Sequence, residues 1–196
     1  MNKLSFKLVL ASSSPYRREL LSRVIENFEV TPASIDETAH PNEKPSDLAV
    51  RLAFNKANKI ATVSPRDIVI GSDQVASVDN KILGKPGNAA NAIKQLSECS
   101  GKEVFIYTAI SVLHKANQFS EYHLDITTVS FRELSQNEIE RYVELDEPWD
   151  CAGGFRSELR GVLLFESIQS NDPNAIIGLP LIWLAGSLKR AGVLLL

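Results

Sequence analysis

The chain is short of several things that would have settled its class at once. Only two of its 196 residues are cysteine, Cys99 and Cys151, with no CxxC spacing. That rules out a disulfide framework and leaves two thiols expected to stay reduced in a cytoplasmic protein. No stretch approaches the ~20 apolar residues of a membrane span, so no membrane partner is expected. The apolar run at 8–11, behind Lys3 and Lys7, is too short for a signal-peptide core. A formal charge of −3 provides no broad basic surface, which argues against sequence-independent nucleic-acid binding. It leaves room for a small phosphorylated ligand in a local basic pocket. The three histidines, His40, His114 and His123, lack zinc-ligand spacing. GxxxxGK[ST], a GxGxxG after the first strand, and GxSxG are all missing. Repeats, low-complexity tracts and linkers are missing too, so residues 1–196 read as one domain.

What is present begins with Leu8-Val9-Leu10-Ala11, which reads as a buried strand. Ser12-Ser13-Ser14 break it, Pro15 suits the first turn of a helix, and Ser14 is its natural N-cap. Hydroxyls at Ser12 and Ser14, free backbone N–H groups and the pair Arg17-Arg18 then meet at one helix N-terminus. Such a place attracts phosphate oxygens.

Further along, 28–30 reads as a short strand, 31–45 as a loop, and Ser46-Asp47 as the start of a helix with Leu48, Leu52, Ala57 and Ile60 on one face. Residues 67–70 read as a buried strand ending at Gly71-Ser72-Asp73-Gln74, with 75–78 continuing extended to a hairpin turn at Asp79-Asn80. A helix is expected over 88–98, a two-strand hairpin over 104–113 and 122–131, and a capping box at Ser135–Glu138 opening a helix to about Leu145. A strand over 161–166 and a helix over 179–190 close the chain. Alternation followed by an antiparallel pair implies an α/β fold with a mixed sheet.

Basic Arg17, Arg18, Lys56 and Lys85 and acidic Asp36, Glu37 and Asp73 fall at strand ends and loop–helix junctions. Hydrolysis at phosphorus needs both kinds: cations for the phosphate oxygens, carboxylates for a metal or for the attacking water. Asp73, after a buried strand and a glycine, is the leading candidate, and its other reading is an Asx turn closing the strand. Lys56 falls near the apolar face of its helix, which fits either a buried role or a snorkelling surface lysine.

Taken together, the ordered segments Leu10-Ala11-Ser12-Ser13-Ser14-Pro15-Tyr16-Arg17-Arg18, Asp36-Glu37, Leu52-Ala53-Phe54-Asn55-Lys56-Ala57, Gly71-Ser72-Asp73-Gln74, Gly84-Lys85-Pro86, Cys151-Ala152-Gly153-Gly154-Phe155 and Ile177-Gly178-Leu179-Pro180 resemble the Maf family of nucleoside triphosphate pyrophosphatases. The resemblance implies an elongated mixed β-sheet flanked by helices around a nucleotide cleft, and dependence on a divalent cation, Mg²⁺ or Mn²⁺. It implies Asp73 as general base, Ser12, Ser14, Arg17, Arg18, Lys56 and Lys85 on the substrate, and Glu37 near the metal. Tyr16, Gln74 and Glu158 stand where the family selects the base, and they resemble its 7-methyl-GTP branch. Tyr16 replaces a more usual tryptophan, and Leu159-Arg160 follow where a glycine is usual. A pyrophosphatase for dTTP, UTP or another modified nucleotide, and a non-catalytic nucleotide-binding regulator, remain alternatives. The apolar C-terminus and the resemblance are both compatible with a homodimer.

Overall fold

The computed structural model describes residues 6–196, so Lys3 lies outside the described part. Its twelve regular elements are β1 (Leu8–Leu10), α1 (Pro15–Ser22), β2 (Glu29–Val30), α2 (Pro45–Val63), β3 (Ile68–Val78), β4 (Lys81–Leu83), α3 (Ala89–Cys99), β5 (Glu103–His114), β6 (Phe119–Phe131), α4 (Gln136–Asp146), β7 (Phe165–Gln169) and α5 (Leu181–Arg190). The strands form one mixed sheet in the order β2-β1-β3-β5-β6-β7, with β4 also on β3. β1 runs parallel to β2 and β3, and the remaining pairs are antiparallel. Strands β3, β5 and β6 hold 11, 12 and 13 residues. At about 3.3 Å per residue they elongate the sheet along the strand direction to roughly 40 Å.

The long strands carry a pattern that decides where the site lies. Because side chains alternate, even-numbered residues of β3 and β5 share one face with odd-numbered residues of β6. One end of that face is apolar, with Ile68, Ile70, Ile110 and Val112 packed beneath Leu20 and Leu21 of α1 and Leu184 and Leu188 of α5. The other end is apolar as well, with Ala76, Val78, Val104, Ile106, Val129 and Phe131 under α3 and α4. Between the two cores the same face turns polar, at Ser72, Thr108, Asp125 and Thr127, all buried. The opposite face is covered by α2, whose Ala53, Ala57 and Ile60 pack against Val69, Val75 and Ala109.

The chain departs from two expectations. Residues 71–74 do not end a strand, since β3 runs unbroken through them and Asp73 sits at its middle. The Asx-turn reading of Asp73 falls with this. The reason is Gly71. A Cβ there would lie 2.6 Å from the Ala57 nitrogen and closer still to the Ala53 carbonyl, so glycine permits contact between strand and helix and breaks nothing. Nor do residues 161–166 form a strand throughout. Arg160–Leu164 is a 3₁₀ turn and only Phe165–Gln169 is β. Gly161 donates its N–H back to the Arg156 carbonyl at 3.1 Å, which curls the chain before it can extend.

Local signals hold elsewhere. Ser14 caps α1 by accepting from the Arg17 N–H, Asn88 caps α3, and Ser135 with Glu138 closes a full capping box on α4. Helix α2 starts one residue early, at Pro45, and α5 starts at Leu181 after Pro180.

Candidate active site

A cleft of about 800 Å³ opens where β3 outruns its neighbours. β1 pairs only with Ile68–Ile70 and β4 only with Ala76–Val78, so the edge of β3 from 71 to 75 has no strand beside it. The turn after β1, the N-terminus of α1 and the loop before α2 form the walls. Ser12, Ser14, Tyr16, Arg17, Glu37, Lys56, Asp73, Gln74, Lys85 and Glu158 all line this cleft. Arg18 does not. It is exposed on the outer side of α1 and forms no ion pair among the described residues.

The charged centre is built by α2 and β3 together. Lys56 occupies a place in the apolar stripe of α2, four residues from both Leu52 and Ile60, and is 8% exposed. A charge in such a stripe requires a partner, and β3 supplies one. Lys56 Nζ donates to Asp73 Oδ1 at 2.6 Å and also lies 2.7 Å from Glu37 Oε1. Asp73 is 7% exposed, whereas the Glu37 carboxylate is open to the cleft. One ammonium therefore holds two carboxylates inside the cleft.

Arg17 enters from the other wall. Its Nε donates to the Gly178 carbonyl at 3.0 Å and its Nη1 to Ser12 Oγ at 3.4 Å. Burial lowers its pKa from the usual arginine value, and the fields of Asp73 and Glu37 oppose that shift. It remains a cation, with its fork pre-aimed. Lys85, between Gly84 and Pro86, is exposed at the cleft and pairs with no acid among the described residues.

The polar band of the sheet explains how Arg17 is held. Residues 170–178 cross it as a strap whose carbonyls absorb the band's donors. Ser72 Oγ lies 2.8 Å from Ala109 O on β5 and 3.0 Å from Gly178 O on the strap, its one proton shared between them, and Thr108 Oγ1 donates to Ala175 O at 2.8 Å. Gln74 Nε2 lies 3.0 Å from the Ala175 and Ile176 carbonyls. Gly178 O accepts from Arg17 Nε and lies within reach of the Ser72 hydroxyl, so the strap brings the middle of β3 and the guanidinium to one carbonyl. Sequence reasoning missed Ser72, Thr108 and this strap. Three long strands turning polar at the same height is the signal that could have found them.

Toward the far end stand Tyr16 and Glu158. Burial raises the Tyr16 phenol above its ordinary pKa, and the fields of Cys151, Asp150 and Glu158 add to the effect while Arg156 opposes it. Tyr16 therefore presents a neutral ring facing the segment that carries Glu158.

The loop bearing Glu37 has its own fastening. Arg51 of α2 grips Glu43 through Nε at 2.6 Å and Nη2 at 2.7 Å. These bonds hold the Glu43 carboxyl down from 4.5 to about 2. A depressed carboxyl stabilises the fold fully above its ordinary pKa and loses that contribution as the pH falls through its folded value. Between pH 4.5 and about 2, wild-type protein is expected to lose stability that Glu43→Gln has already given up. Urea midpoints across that window should therefore fall less steeply for the variant, and equal slopes would remove the pair from the acid limb.

The chemistry of the cleft residues suits a metal ion shared with the substrate. The described residues include no group of three or more His, Cys, Asp or Glu side chains placed to bind an ion alone. Glu37 and Asp73 are still within one ammonium's reach of each other. Hard cations such as Mg²⁺ bind through one or two carboxylates and take their other ligands from water and phosphate oxygens. The donor set fits that pattern.

Known proteins place the chain. It is 46% identical over 187 residues to the 7-methyl-GTP pyrophosphatase of Albidiferax ferrireducens, covering 95% of this chain and 94% of that protein. The protein of the same name from Idiomarina loihiensis is 46% identical over 192 residues, with 97% of each covered. Among solved structures, the Staphylococcus aureus Ham1 protein superposes with a TM-score of 0.57 at 13% identity, over 94% of this chain and 99% of that one. A HAM1 protein from Coxiella burnetii gives 0.53 at 13% identity over the same shares. At that identity the likeness is one of fold. A family model described as Maf-like protein matches residues 7–191, and the chain belongs to that family.

Proposed function

We propose that the chain is a single-domain cytoplasmic enzyme that hydrolyses 7-methyl-GTP to 7-methyl-GMP and pyrophosphate. The observation that carries this is Asp73, a buried carboxylate at the open edge of β3, paired with Lys56 and facing a cleft with cations on its walls. The names of the two relatives supply the substrate class.

The residues divide the work. Lys56 occupies Asp73 Oδ1, which leaves Oδ2 to take a proton from a water aligned on the α-phosphorus. The oxygen of that water bonds to the α-phosphorus as the bond to the α–β bridging oxygen breaks, and pyrophosphate leaves with the electron pair. Arg17, Lys56 and Lys85 stabilise the charge gathering on the departing phosphates, and the hydroxyls and free N–H groups around Ser12 and Ser14 cradle them. A divalent cation held by Glu37 would add charge neutralisation at the phosphate oxygens. At the far end, Glu158 accepts from the two neighbouring N–H donors on guanine's pairing edge, and Tyr16 stacks on a base made cationic by N7-methylation. Uracil and thymine offer one N–H between two carbonyls, which a carboxylate repels. Gln74, with its amide nitrogen committed to the strap, bounds this pocket in one fixed orientation.

Pyrophosphate release measured across 7-methyl-GTP, GTP, UTP, dTTP and CTP, with Mg²⁺ or Mn²⁺, tests the reading. Selective release from 7-methyl-GTP is the expected result, abolished by EDTA and restored by excess cation. Preference for UTP or dTTP would retain the chemistry and overturn the base assignment. Tight binding with no release from any of them would favour a nucleotide-binding regulator, and release undiminished by EDTA would remove the metal.

A further inference from the structure

The carboxylate assigned to base reading sits on an exposed turn, where a side chain with three rotatable bonds has little reason to stay in place. Glu158 itself accepts only a 3.4 Å contact from the neighbouring Ser157 hydroxyl. The backbone carrying it is held far more tightly. Arg156, two residues before, spreads its guanidinium over the end of α4: Nη1 donates to Asp146 O at 2.9 Å, and Nη2 to Glu147 O at 3.3 Å and Asp150 Oδ1 at 2.9 Å. Helix α4 ends there with Glu147 in the left-handed region, so its last carbonyls are free to receive a cation.

Arg160, two residues after, returns to the same helix end. Its backbone N–H donates to Asp146 Oδ2 at 3.1 Å and its Nη1 to Oδ1 at 2.9 Å. The Asp146 side chain is wholly buried while Arg160 is half exposed. This is a sequestered carboxylate whose charge is matched by one residue of the turn. Between the two arginines the chain closes on itself, with Leu159 and Gly161 both donating to the Arg156 carbonyl. Glu158 is thus bracketed symmetrically, two residues from each anchor, against the rigid end of a helix.

We propose that Arg160 and Asp146, with Arg156, are positioning residues that fix Glu158 and so set how strongly the enzyme prefers one nucleobase. The proposal rests on the reading of Glu158 as the group that meets the base. Neither Arg160 nor Asp146 lines the cleft, so neither acts on the phosphates. Their effect belongs to discrimination and not to turnover. A pocket that hydrogen-bonds its substrate rejects analogues steeply only while its polar groups are held in place.

The test compares kcat/KM for 7-methyl-GTP with that for UTP in wild type, Glu158→Gln, Arg160→Ala, Arg160→Lys and the double variant Glu158→Gln/Arg160→Ala. Arg160→Ala should lower the preference about tenfold through a higher KM for 7-methyl-GTP, with UTP turnover unchanged. Arg160→Lys should restore most of it, because a single N–O contact is enough where the backbone N–H satisfies the other oxygen. The double variant should be no less selective than Glu158→Gln alone. Should Arg160→Ala fold poorly with Asp146 stranded, Asp146→Asn/Arg160→Gln removes both charges and enters the same comparison. An unchanged preference in the Arg160 variants alongside a shifted one in Glu158→Gln would overturn the clamp and leave the base reading intact. Equal losses on every nucleotide would reduce Arg160 to a structural role. An unshifted preference in Glu158→Gln would remove the base reading, and the proposal with it.

Discussion

Asp73→Asn is expected to lower kcat for pyrophosphate release by a hundredfold or more, with nucleotide affinity little changed and the fold retained. The magnitude is that of losing a positioned general base, roughly 10²–10⁴. Asparagine keeps the shape and an acceptor for Lys56 at the 2.6 Å contact, so the α2–β3 seam survives. It cannot take the proton of the attacking water. Asp73→Ala tests something harsher. It strands Lys56 at 8% exposure with Glu37 as its remaining acid partner. Unpairing a buried ion pair costs about 3–5 kcal/mol, an upper bound here because Glu37 still offsets part of the charge. The two variants thus separate chemistry from scaffolding. A large kcat loss in Asp73→Asn at near-native urea midpoint assigns the carboxylate to the reaction. Near-wild-type turnover in Asp73→Asn would remove it from that role, and Glu37, the other carboxylate on the same ammonium, would become the next candidate.

The parts of this molecule that were legible in its sequence are those fixed within a few residues. Ser14 before Pro15, Asn88 before α3 and the Ser135–Glu138 box each satisfy donors one turn away, so their meaning is local and the helices start within a residue or two of expectation. The mixed sheet was legible too, because loop lengths and alternation report it. What escaped depends on partners far along the chain. Gly71 looked like punctuation because a glycine after an apolar run usually ends a strand. Its actual reason lies in Ala53 and Ala57, on a helix that precedes it in the sequence. The polar band of Ser72, Thr108, Asp125 and Thr127 exists only once the register of β3, β5 and β6 is known. The strap that satisfies it comes from beyond residue 170. Most of the expected site residues do converge, since chemistry-bearing side chains cluster on elements that alternate regularly. Arg18 is the one the helix turns away, for a single residue step on α1 rotates a side chain by about 100° relative to Arg17.

Gly71→Ala should be among the most damaging single-methyl additions in this protein, and it should damage stability and catalysis together. The added carbon would sit 2.6 Å from the Ala57 nitrogen and 2.8 Å from its Cβ, with the Ala53 carbonyl nearer still. Two of those three obstacles are helix backbone, which cannot swing aside as a side-chain tip can. Helix α2 must therefore back away from β3, or β3 must buckle. Overpacking of this kind costs about 1–3 kcal/mol, and the rigid neighbours place this case near 3. For a chain of this size that lowers Tm by about 6–12 °C. The same displacement draws Lys56 away from Asp73, because Lys56 precedes Ala57 on the helix and Asp73 lies two residues after Gly71 on the same face of the strand. A 2.6 Å charge-assisted bond tolerates little of that. Thermal unfolding and kcat, measured on one preparation, decide the matter. A lower Tm together with a kcat loss of tenfold or more shows that the glycine sets both the packing distance and the catalytic pair. A lower Tm with unchanged kcat would mean that the Lys56–Asp73 geometry survives movement of α2, and that the seam and the site are mechanically separate.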